Sequence, residues 1–244
     1  MLNIITVTKD DYEGIIRTIK STKILREEYG VKQVIVDSSS SEVKTRIEKL
    51  LREEKNIQYV WQKPSGISAA FNFGLSLSTE DWVWFLNGGD EVHPKLNISL
   101  FLYLISNCTS EAIIFEIETI QTGVIYKHPP IWMMWPPLHS WIPHPATITK
   151  RNLYELYGNF NESLTIAMDL DFFVRCFSKN VIVDIISLPI VKFDVTGVSN
   201  TQISKVSSEV IKIIRMHLWT IVKIWICNGR LTFDSYRWSL QKKK

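Results

Sequence analysis

The sequence predicts an α/β fold with a mostly parallel sheet flanked by helices. Over residues 2–86, four short apolar segments alternate with three segments of helical periodicity, and the loops between them are short. This β-α-β-α-β-α-β order predicts parallel strands joined by right-handed crossovers, a Rossmann-like half. The fourth strand, residues 82–86, is apolar at every position, as expected for a strand buried on both faces.

Each of the earlier elements has its own local signal. Strands are predicted at residues 2–7, 34–36 and 57–61. The three helices are predicted at residues 12–29 with Gly30 as the stop, at 42–54 after a serine run that supplies an N-cap, and at 67–77 after a Pro-Ser-Gly turn.

Two of the predicted strands are followed by a carboxylate. Asp37 follows the second strand, and Asp90 follows the fourth after Gly88 and Gly89. Open α/β sheets bind ligands beyond the carboxyl ends of their strands, and glycines let the backbone approach a ligand closely. The first turn has no G-x-G-x-x-G, which disfavours a dinucleotide site. A nucleotide held by acidic side chains and a metal ion is therefore the better prediction, and a solvated acidic turn is the alternative.

Two blocks in this half resemble family-2 inverting glycosyltransferases of the GT-A fold, of the bacterial surface-polysaccharide type. The first, Gly66-Ile-Ser-Ala-Ala-Phe-Asn-Phe-Gly74, is similar to the family pattern G-I-s-x-A-x-N-x-G. The second is the strand that ends in Asn87-Gly-Gly-Asp90, where the family has D-x-D-D or N-s-x-D. With residues 5–8 and 34–38, which match the first nucleotide-contacting segments, the resemblance covers roughly residues 2–94.

The resemblance implies a donor site at the ends of these strands. The side chains that would contact the nucleotide sugar are Val7, Thr8, Asp37, Asn72, Asn87 and Asp90. Val7 and Thr8 would lie against the base, and Asp37 would contact the base or the ribose. Asp90 would hold a divalent cation, Mn²⁺ or Mg²⁺, because a hard cation on carboxylate oxygens neutralises the charge that develops on the leaving nucleoside diphosphate.

The chain departs from the family pattern at several positions. Asn87 and Gly89 stand where the family most often has Asp, so metal binding rests on Asp90, with Glu91 as its neighbour. Phe71 replaces a frequent Arg, and the turn before Gly66 lacks the common acidic residue. These two changes argue against a family contact to the donor phosphate.

The second half of the chain is predicted to carry the acceptor and catalytic groups. A helix is predicted at residues 96–105. Strands are predicted at 112–117 and 124–128, antiparallel and at one edge of the sheet, and at 181–186 and 191–195. Residues 129–145 are rich in proline and tryptophan, which predicts a long loop that serves either as a lid over an acceptor cleft or as a plug for an apolar gap.

The segment His144-Pro-Ala-Thr-Ile-Thr-Lys-Arg151 resembles the H-x-s-x-f-x-r-r segment that precedes the catalytic helix in many bacterial members. The resemblance implies that His144 and Arg151 contact phosphate or acceptor. The alternative for His144 is structural, because a lone histidine among apolar residues is more often simply hydrogen-bonded in place.

Residues 157–175 resemble the family block G-g-F-d-E-s-f-x-x-a-x-D-y-D-l-x-l-R, in which the first Asp of D-x-D is the general base. The resemblance assigns this role to Asp169. Inverting transfer needs a carboxylate that removes the proton of the acceptor hydroxyl while its oxygen attacks the anomeric carbon opposite the leaving diphosphate. Without the resemblance, Asp169 and Asp171 are explained as acidic residues that stabilise the start of a helix over 170–177.

The predicted GT-A domain spans residues 1–200, with a nucleotide-binding half (1–94) and an acceptor and catalytic half (95–200). Residues 201–244 are predicted to be a basic amphipathic helical extension, since residues 204–227 combine an apolar band with lysine and arginine. Such a helix suits an anionic membrane surface, where lipid-linked acceptors lie. The alternatives are packing on its own domain or on the second subunit of a homodimer.

Composition narrows the compartment and the partners. A formal net charge of +3 is too small to indicate nucleic acid. Three widely separated cysteines indicate free thiols in a reducing compartment. The first residues lack a signal-peptide pattern and no apolar run reaches 18 residues. We therefore expect a cytoplasmic protein, at most peripheral on the inner face of the membrane.

Two functions follow from the sequence. The leading hypothesis is an enzyme that transfers a sugar from a nucleotide-diphosphate donor to a saccharide or lipid-linked acceptor with inversion. The alternative is a non-catalytic nucleotide- or sugar-binding paralogue with the same fold, motivated by Asn87 and Gly89.

Overall fold

The computed structural model describes residues 1–126, 142–179, 181–197, 202–228 and 236–238, with side chains as far as residue 219. The strands are β1 Leu2–Thr8, β2 Lys32–Asp37, β3 Ile57–Trp61, β4 Trp82–Phe85, β5 Glu91–Val92, β6 Ala112–Thr119, β7 Ile125–Tyr126, β8 Thr147–Lys150, β9 Val183–Phe193 and β10 Tyr236–Trp238. The helices are α1 Tyr12–Glu27, α2 Ser41–Leu51, α3 Ile67–Leu77, α4 Ile98–Ser106, α5 Asn152–Tyr157, α6 Met168–Phe177 and α7 Ile203–Asn228, and a 3-10 turn spans His144–Ala146.

All the described strands belong to one sheet, in which eight follow the order β10-β9-β6-β8-β4-β1-β2-β3. β1 pairs in parallel with β2 and with β4, and β2 pairs in parallel with β3, as the alternation of strands and helices predicts. Because Thr8 pairs with Asp37 and Ile5 pairs with Phe85, the carboxyl ends of β1, β2 and β4 lie at one edge of the sheet. This edge is where a ligand crevice is expected.

The second half of the sheet differs from the sequence prediction in two ways. β6 does not lie at an edge; it lies between β9 and β8, because its central residues are apolar towards both faces and Ile113 and Phe115 are fully buried. β9 is one strand and not two. Pro189 lies at a register shift opposite Glu116, where the bulge accommodates a residue that has no N–H to donate.

Two expectations concern residues that the structure does not describe. Residues 127–141, which include most of the proline- and tryptophan-rich segment, lie outside the described residues, and so does the lysine run that ends the chain. Among the helices that are described, none combines the length and the apolar character that a membrane span requires.

The first half of α7 packs on its own domain. Ile213 is fully buried in the apolar cluster that also contains Phe85 of β4 and Phe172 of α6. Val210 and Ile214 pack against the same cluster. The domain boundary at residue 200 stays a prediction, but side chains on both sides of it share one core.

Candidate active site

The turn at residues 87–90 is fixed against the end of β1. The N–H of Gly88 donates to the carbonyl oxygen of Val7 at 3.0 Å. A Cβ at Gly88 would lie 3.0 Å from Thr8 Oγ1 and 3.1 Å from Thr8 Cβ, which is tighter than most Cβ contacts, so a side chain here would require Thr8 or the turn to move by a few tenths of an ångström. From α1, Thr18 Oγ1 accepts the N–H of Gly89 at 3.0 Å and donates to the carbonyl oxygen of Asp90 at 2.7 Å.

Two buried oxygens at this edge of the sheet have no hydrogen-bond partner among the residues that the structure describes. They are Thr8 Oγ1 at the end of β1 and Asp90 Oδ2 in the turn after β4. Asp90 is only 2% exposed, and its other oxygen, Oδ1, accepts the backbone N–H of Asp194 at 3.0 Å. Burial raises the pKa of Asp90 to about 7, although hydrogen bonds from Asp194 and Asn87 oppose the rise. Since buried polar groups are normally paired, these two oxygens are the groups that a bound ligand would satisfy.

Asp194, directly after β9, was not predicted from the sequence. Its Oδ2 lies 3.0 Å from Nη2 of Arg17, and Gln121 Nε2 donates to its Oδ1 at 2.7 Å. The same Oδ2 lies 3.5 Å from the place that a Cβ on Gly89 would occupy. A carboxylate from a distant part of the chain thus stands beside the position where the family usually has Asp. The sequence signal for Asp194 is an Asp at the end of an apolar strand. The prediction does not use this signal, because the predicted strand runs on to residue 195.

The residues around Asp90 fit a cation that is held mainly by the phosphates of a bound nucleotide and by few protein side chains. No cluster of three or more His, Cys, Asp or Glu side chains suited to a metal ion occurs in the described part of the chain. Asp90 nevertheless offers one carboxylate oxygen, Oδ2, that nothing else engages. Mg²⁺ in nucleotide sites is commonly held by one or two carboxylates together with substrate phosphates. Asp90 is the residue that would hold such an ion.

Asp37 is fully buried at the end of β2 and already has two partners. The N–H of Ser39 donates to its Oδ1 at 2.8 Å, and the hydroxyl of Tyr59 donates to its Oδ2 at 2.7 Å. Trp61 at the end of β3 is 43% exposed, and its Nε1 donates to the carbonyl oxygen of Ser39. The contact of Asp37 with a base or ribose stays a prediction, and the pairs seen here show that Asp37 also shapes the loop after β2.

Asn72 and Phe71 connect α3 to the rest of the protein. The Asn72 side chain donates to the carbonyl oxygen of Phe160 at 2.9 Å and accepts its N–H at 3.0 Å, so its amide is engaged within the protein. Phe71 is buried and meets Phe85 edge-on at 4.9 Å between ring centroids. The residue that replaces the family's frequent Arg is therefore part of the core.

His144 is also a core residue. Its ring stacks on Phe85 at 5.1 Å and meets Phe71 and Phe160 edge-on at 5.4 and 5.6 Å. Burial lowers the pKa of His144 to about 3, so the imidazole is neutral, and its buried Nε2 has no partner. This position gives no support to the predicted contact with phosphate or acceptor, because the ring is enclosed by aromatic side chains.

Arg151 is predicted to contact phosphate or acceptor, and the structure places it at the opposite end of β4 from the turn at residues 87–90. β8 runs antiparallel to β4 with Lys150 opposite Trp82, and the N–H of Arg151 donates to the carbonyl oxygen of Asp81 at 2.7 Å. Arg151 therefore lies at the start of β4, whereas the turn at residues 87–90 follows its end. Its guanidinium pairs with Glu155 at 2.6 Å on the next turn of chain.

The two carboxylates of the D-x-D pair have different surroundings. Asp171 is buried and paired with Arg175 at 3.0 Å and with His217 of α7 at 2.7 Å. Burial alone would raise the pKa of Asp171, but these two partners hold it below its usual value. Asp169 is partly exposed, and the hydrogen bond it accepts is the N–H of Leu170 next to it in α6.

The pKa of Asp169 is raised to about 6, first by burial and further by the negative charge of Glu209. A carboxylate with such a pKa is a stronger base than an ordinary aspartate and is still largely ionised at pH 7. The aromatic cluster that joins Phe85 of β4 to Phe173 of α6 through His144 holds this helix beside the end of β4. Asp169, in the first turn of this helix, is therefore a carboxylate with a raised pKa on an element that packs against β4.

A mixed sheet of this order, flanked by helices and bearing an acidic turn after β4, defines a GT-A type of fold. The chain belongs to glycosyl transferase family 2, whose family model matches residues 3–173. Comparison with curated protein sequences found no significant match.

Solved structures show the same fold at low identity. TarS of S. aureus, residues 1–349 in complex with UDP, is 16% identical with a TM-score of 0.66, over 87% of this chain and 64% of TarS 1–349. The complex of TarS 1–349 with UDP-GlcNAc is 15% identical with a TM-score of 0.64, over 79% of this chain and 58% of that one. The mannosyltransferase PcManGT of Pyrobaculum calidifontis, in complex with GDP-Man and Mn²⁺, is 15% identical with a TM-score of 0.57, over 77% and 54%. The chain thus spans less than two thirds of each of these proteins.

Proposed function

We propose that the chain is an inverting glycosyltransferase that uses a nucleotide-diphosphate sugar. The observation that carries this proposal is the contrast within the D-x-D pair. Asp171 is fully engaged by Arg175 and His217, whereas Asp169 is partly exposed and has its pKa raised to about 6. A carboxylate that is kept free and made more basic suits a general base and is not needed for helix capping alone.

In the proposed reaction, Asp169 removes the proton of an acceptor hydroxyl. The acceptor oxygen attacks the anomeric carbon, the bond from that carbon to the diphosphate oxygen breaks, and the nucleoside diphosphate leaves from the opposite face with the bonding electrons. The proton remains on Asp169 and passes to solvent. Attack opposite the leaving group inverts the configuration at the anomeric carbon.

The donor would lie along the carboxyl ends of β1, β2 and β4. The unpaired Oγ1 of Thr8 is a hydrogen-bond partner for it, and Gly89 brings no side chain into the turn. The other donor contacts we propose are made by Val7, Asp37 and Asn87. A divalent cation bound through Asp90 would neutralise charge on the leaving diphosphate.

Rate measurements with a panel of nucleotide sugars test the proposal. The solved relatives were crystallised with UDP, UDP-GlcNAc and GDP-Man, so uridine and guanosine donors are the first to assay, each with Mn²⁺ or Mg²⁺. We expect turnover with at least one donor and a loss of about 100-fold or more in Asp169→Asn. Asp81→Asn, which changes an exposed aspartate at the start of β4, serves as the control. An unchanged rate in Asp169→Asn would make the assignment of the base wrong.

A non-catalytic nucleotide- or sugar-binding protein is the second candidate. It is favoured by Gly89, which brings no carboxylate to the turn, and by the absence of a three-ligand metal cluster among the described residues. Calorimetry separates the two functions. A protein that binds a sugar, shows no metal-dependent affinity for nucleotides and turns over no donor would be the binding protein.

We further propose that the acceptor is a saccharide or a lipid-linked saccharide and that α7 touches the inner face of the membrane. Trp219 of α7 is 83% exposed, and Ile211, Met216 and Leu218 are also exposed on this helix. Lys205, Lys212 and Arg215 lie on the same exposed surface. Exposed apolar side chains mixed with cations suit an anionic lipid surface.

A further inference from the structure

Glu209 of α7 accepts four hydrogen bonds from the segment just before α6. Its Oε1 accepts from the N–H of Thr165 at 2.9 Å and from the Thr165 hydroxyl at 2.7 Å. Its Oε2 accepts the N–H groups of Ile166 and Ala167, both at 2.9 Å. The side chain is buried, with the residue only 7% exposed, so these bonds are shielded from water.

The Glu209 carboxylate supplies the hydrogen-bond acceptors that α6 lacks at its own N-terminus. Ala167 is the N-cap residue of α6 and has no side chain that could accept from the first turn. The first N–H groups of a helix have no partner within it, and they attract negative charge. Glu209 satisfies the backbone at residues 165–167, and Asp169 follows two residues later, so the start of α6 is set by a side chain from another helix.

Further contacts of α7 fix the position of Glu209 relative to α6. One turn further along, Ile213 is fully buried in the core beside α6. Two turns further along, His217 Nε2 lies 2.7 Å from Oδ1 of Asp171. Because contacts on both sides of Asp169 come from one face of α7, the helix cannot slide without disturbing residues 165–171.

We propose that Glu209 is a positioning residue that fixes Asp169 in its catalytic orientation. This inference rests on the proposed function, in which Asp169 is the general base. Glu209 touches neither donor nor acceptor and acts through the backbone of residues 165–167. It also lies outside residues 3–173, the part that matches the family model, so the base of this chain depends on a segment beyond that match.

The test compares Glu209→Gln with wild type in the intact chain. Glutamine keeps the size of the side chain but has one acceptor oxygen, so either the two donors of Thr165 or the N–H groups of Ile166 and Ala167 lose their partner. We expect kcat to fall about 10- to 100-fold, because small displacements of a catalytic group cost rates of this order. The Kd of the nucleoside diphosphate should stay within about twofold of wild type, since the donor site lies on other elements. Glu53→Gln, an exposed glutamate after α2, controls for the loss of charge.

Two further readouts separate positioning from general stability. In the Asp169→Asn background, Glu209→Gln should cause no further loss of the residual rate, because it acts only through Asp169. The acid limb of the pH profile should move to lower pH in Glu209→Gln, because a negative charge that raises the pKa of Asp169 is removed. The other charged or titratable groups on α6 (Asp171, Arg175 and Cys176) and on the facing part of α7 (Lys212 and His217) are unchanged in this variant.

The outcomes are distinguishable. If Glu209→Gln unfolds, Thr165→Val, which removes only the hydroxyl donor, should still lower kcat with normal nucleotide affinity. The positioning role would be wrong if folded Glu209→Gln had the wild-type kcat while Asp169→Asn had lost activity. It would also be wrong if Glu209→Gln lowered the residual rate of Asp169→Asn by the same factor as it lowers the wild-type rate. An active Asp169→Asn would instead overturn the proposed function.

Discussion

The backbone N–H of Asp194 donates to Oδ1 of Asp90 at 3.0 Å, and this bond joins two turns that are 104 residues apart in the chain. It ties the end of β9 to the turn after β4. It also leaves Oδ2 as the oxygen of Asp90 that has no partner. The second half of the chain thus orients the side chain on which the proposed donor site depends.

Asp90→Asn should remove the metal-dependent part of nucleotide binding and leave the fold intact. Asparagine keeps an oxygen for the N–H of Asp194 but brings no charge for a cation. In wild type we expect UDP or GDP with Mn²⁺ to raise Tm more than the nucleotide alone, and in Asp90→Asn we expect this difference to vanish. A thermal-shift series measures it, with Asp81→Asn as the control. An unchanged Mn²⁺ effect in Asp90→Asn would place the cation elsewhere.

The rate should fall on the acid side of about pH 6. Burial raises the pKa of Asp169 to about 6, and a base works only when it is deprotonated. We expect kcat to drop about tenfold per pH unit below that value, and Kd for the nucleoside diphosphate measured over the same range shows whether donor binding contributes to the fall. An acid limb near pH 4, the position for an ordinary aspartate, would contradict the raised pKa of Asp169.

Gly88→Ala should destabilise the protein and weaken donor binding together. The added methyl would lie 3.0 Å from Thr8 Oγ1 and 3.3 Å from the carbonyl oxygen of Val7, so the turn must shift away from β1. We expect a loss of about 1–3 kcal/mol in the free energy of unfolding, measured with urea. Gly197→Ala is the matched control, because its methyl would make only an ordinary contact at 3.7 Å. Equal stability in the two variants would contradict the close approach at Gly88.

Tyr59→Phe should lower stability by leaving Asp37 Oδ2 without its partner. Asp37 is fully buried, and the 2.7 Å bond from Tyr59 is the one made to that oxygen. Loss of one partner of a buried polar group costs about 1–3 kcal/mol. Urea denaturation measures the change, and Tyr103→Phe on an exposed part of α4 is the control. If both variants unfold like wild type, the bond to Asp37 contributes nothing measurable.

Anionic vesicles should bind the protein through α7. We expect cosedimentation with phosphatidylglycerol vesicles, weaker binding to phosphatidylcholine, and a decrease with salt, because cations attract the anionic surface. Trp219→Ser and Arg215→Glu should each reduce it. Tyr103→Ser, which changes another exposed aromatic side chain, should bind like wild type. Equal binding to both lipids in all variants would contradict the membrane proposal.

The alternation of strands and helices was enough to predict the first half of the fold. Residues 2–86 form parallel β-α units whose periodicity is local, and the predicted helix over residues 67–77 has the bounds of α3. The position of β6 inside the sheet and the continuity of β9 across Pro189 were not predictable in this way. Both depend on which distant strand pairs with which, and a bulge can absorb a proline that looks like a break.

The candidate site was predictable where a motif fixes a side chain at the end of an element. Asp90 lies in the turn that follows β4, and Asp169 lies in the first turn of α6, as the resemblance implied. His144 and Arg151 flank β8, one short antiparallel strand. Nothing in the sequence indicates that phenylalanines enclose one end of this strand while the other end lies beside the start of β4. Glu209 is the one acidic residue in the sequence of α7, but the sequence does not indicate that it binds the backbone of residues 165–167.

The support of α6 by Glu209 also bears on the order of events during synthesis. The parallel pairing of β1 to β4 needs only residues 2–85, so it can form while the rest of the chain is still being made. β4 pairs with β8, and Asp90 accepts the N–H of Asp194, only after those later residues have been added. The backbone before Asp169 finds its acceptors only after residue 209 has been added. The parallel strands therefore form first in a nascent chain, and the start of α6, which carries the proposed base, is fixed last.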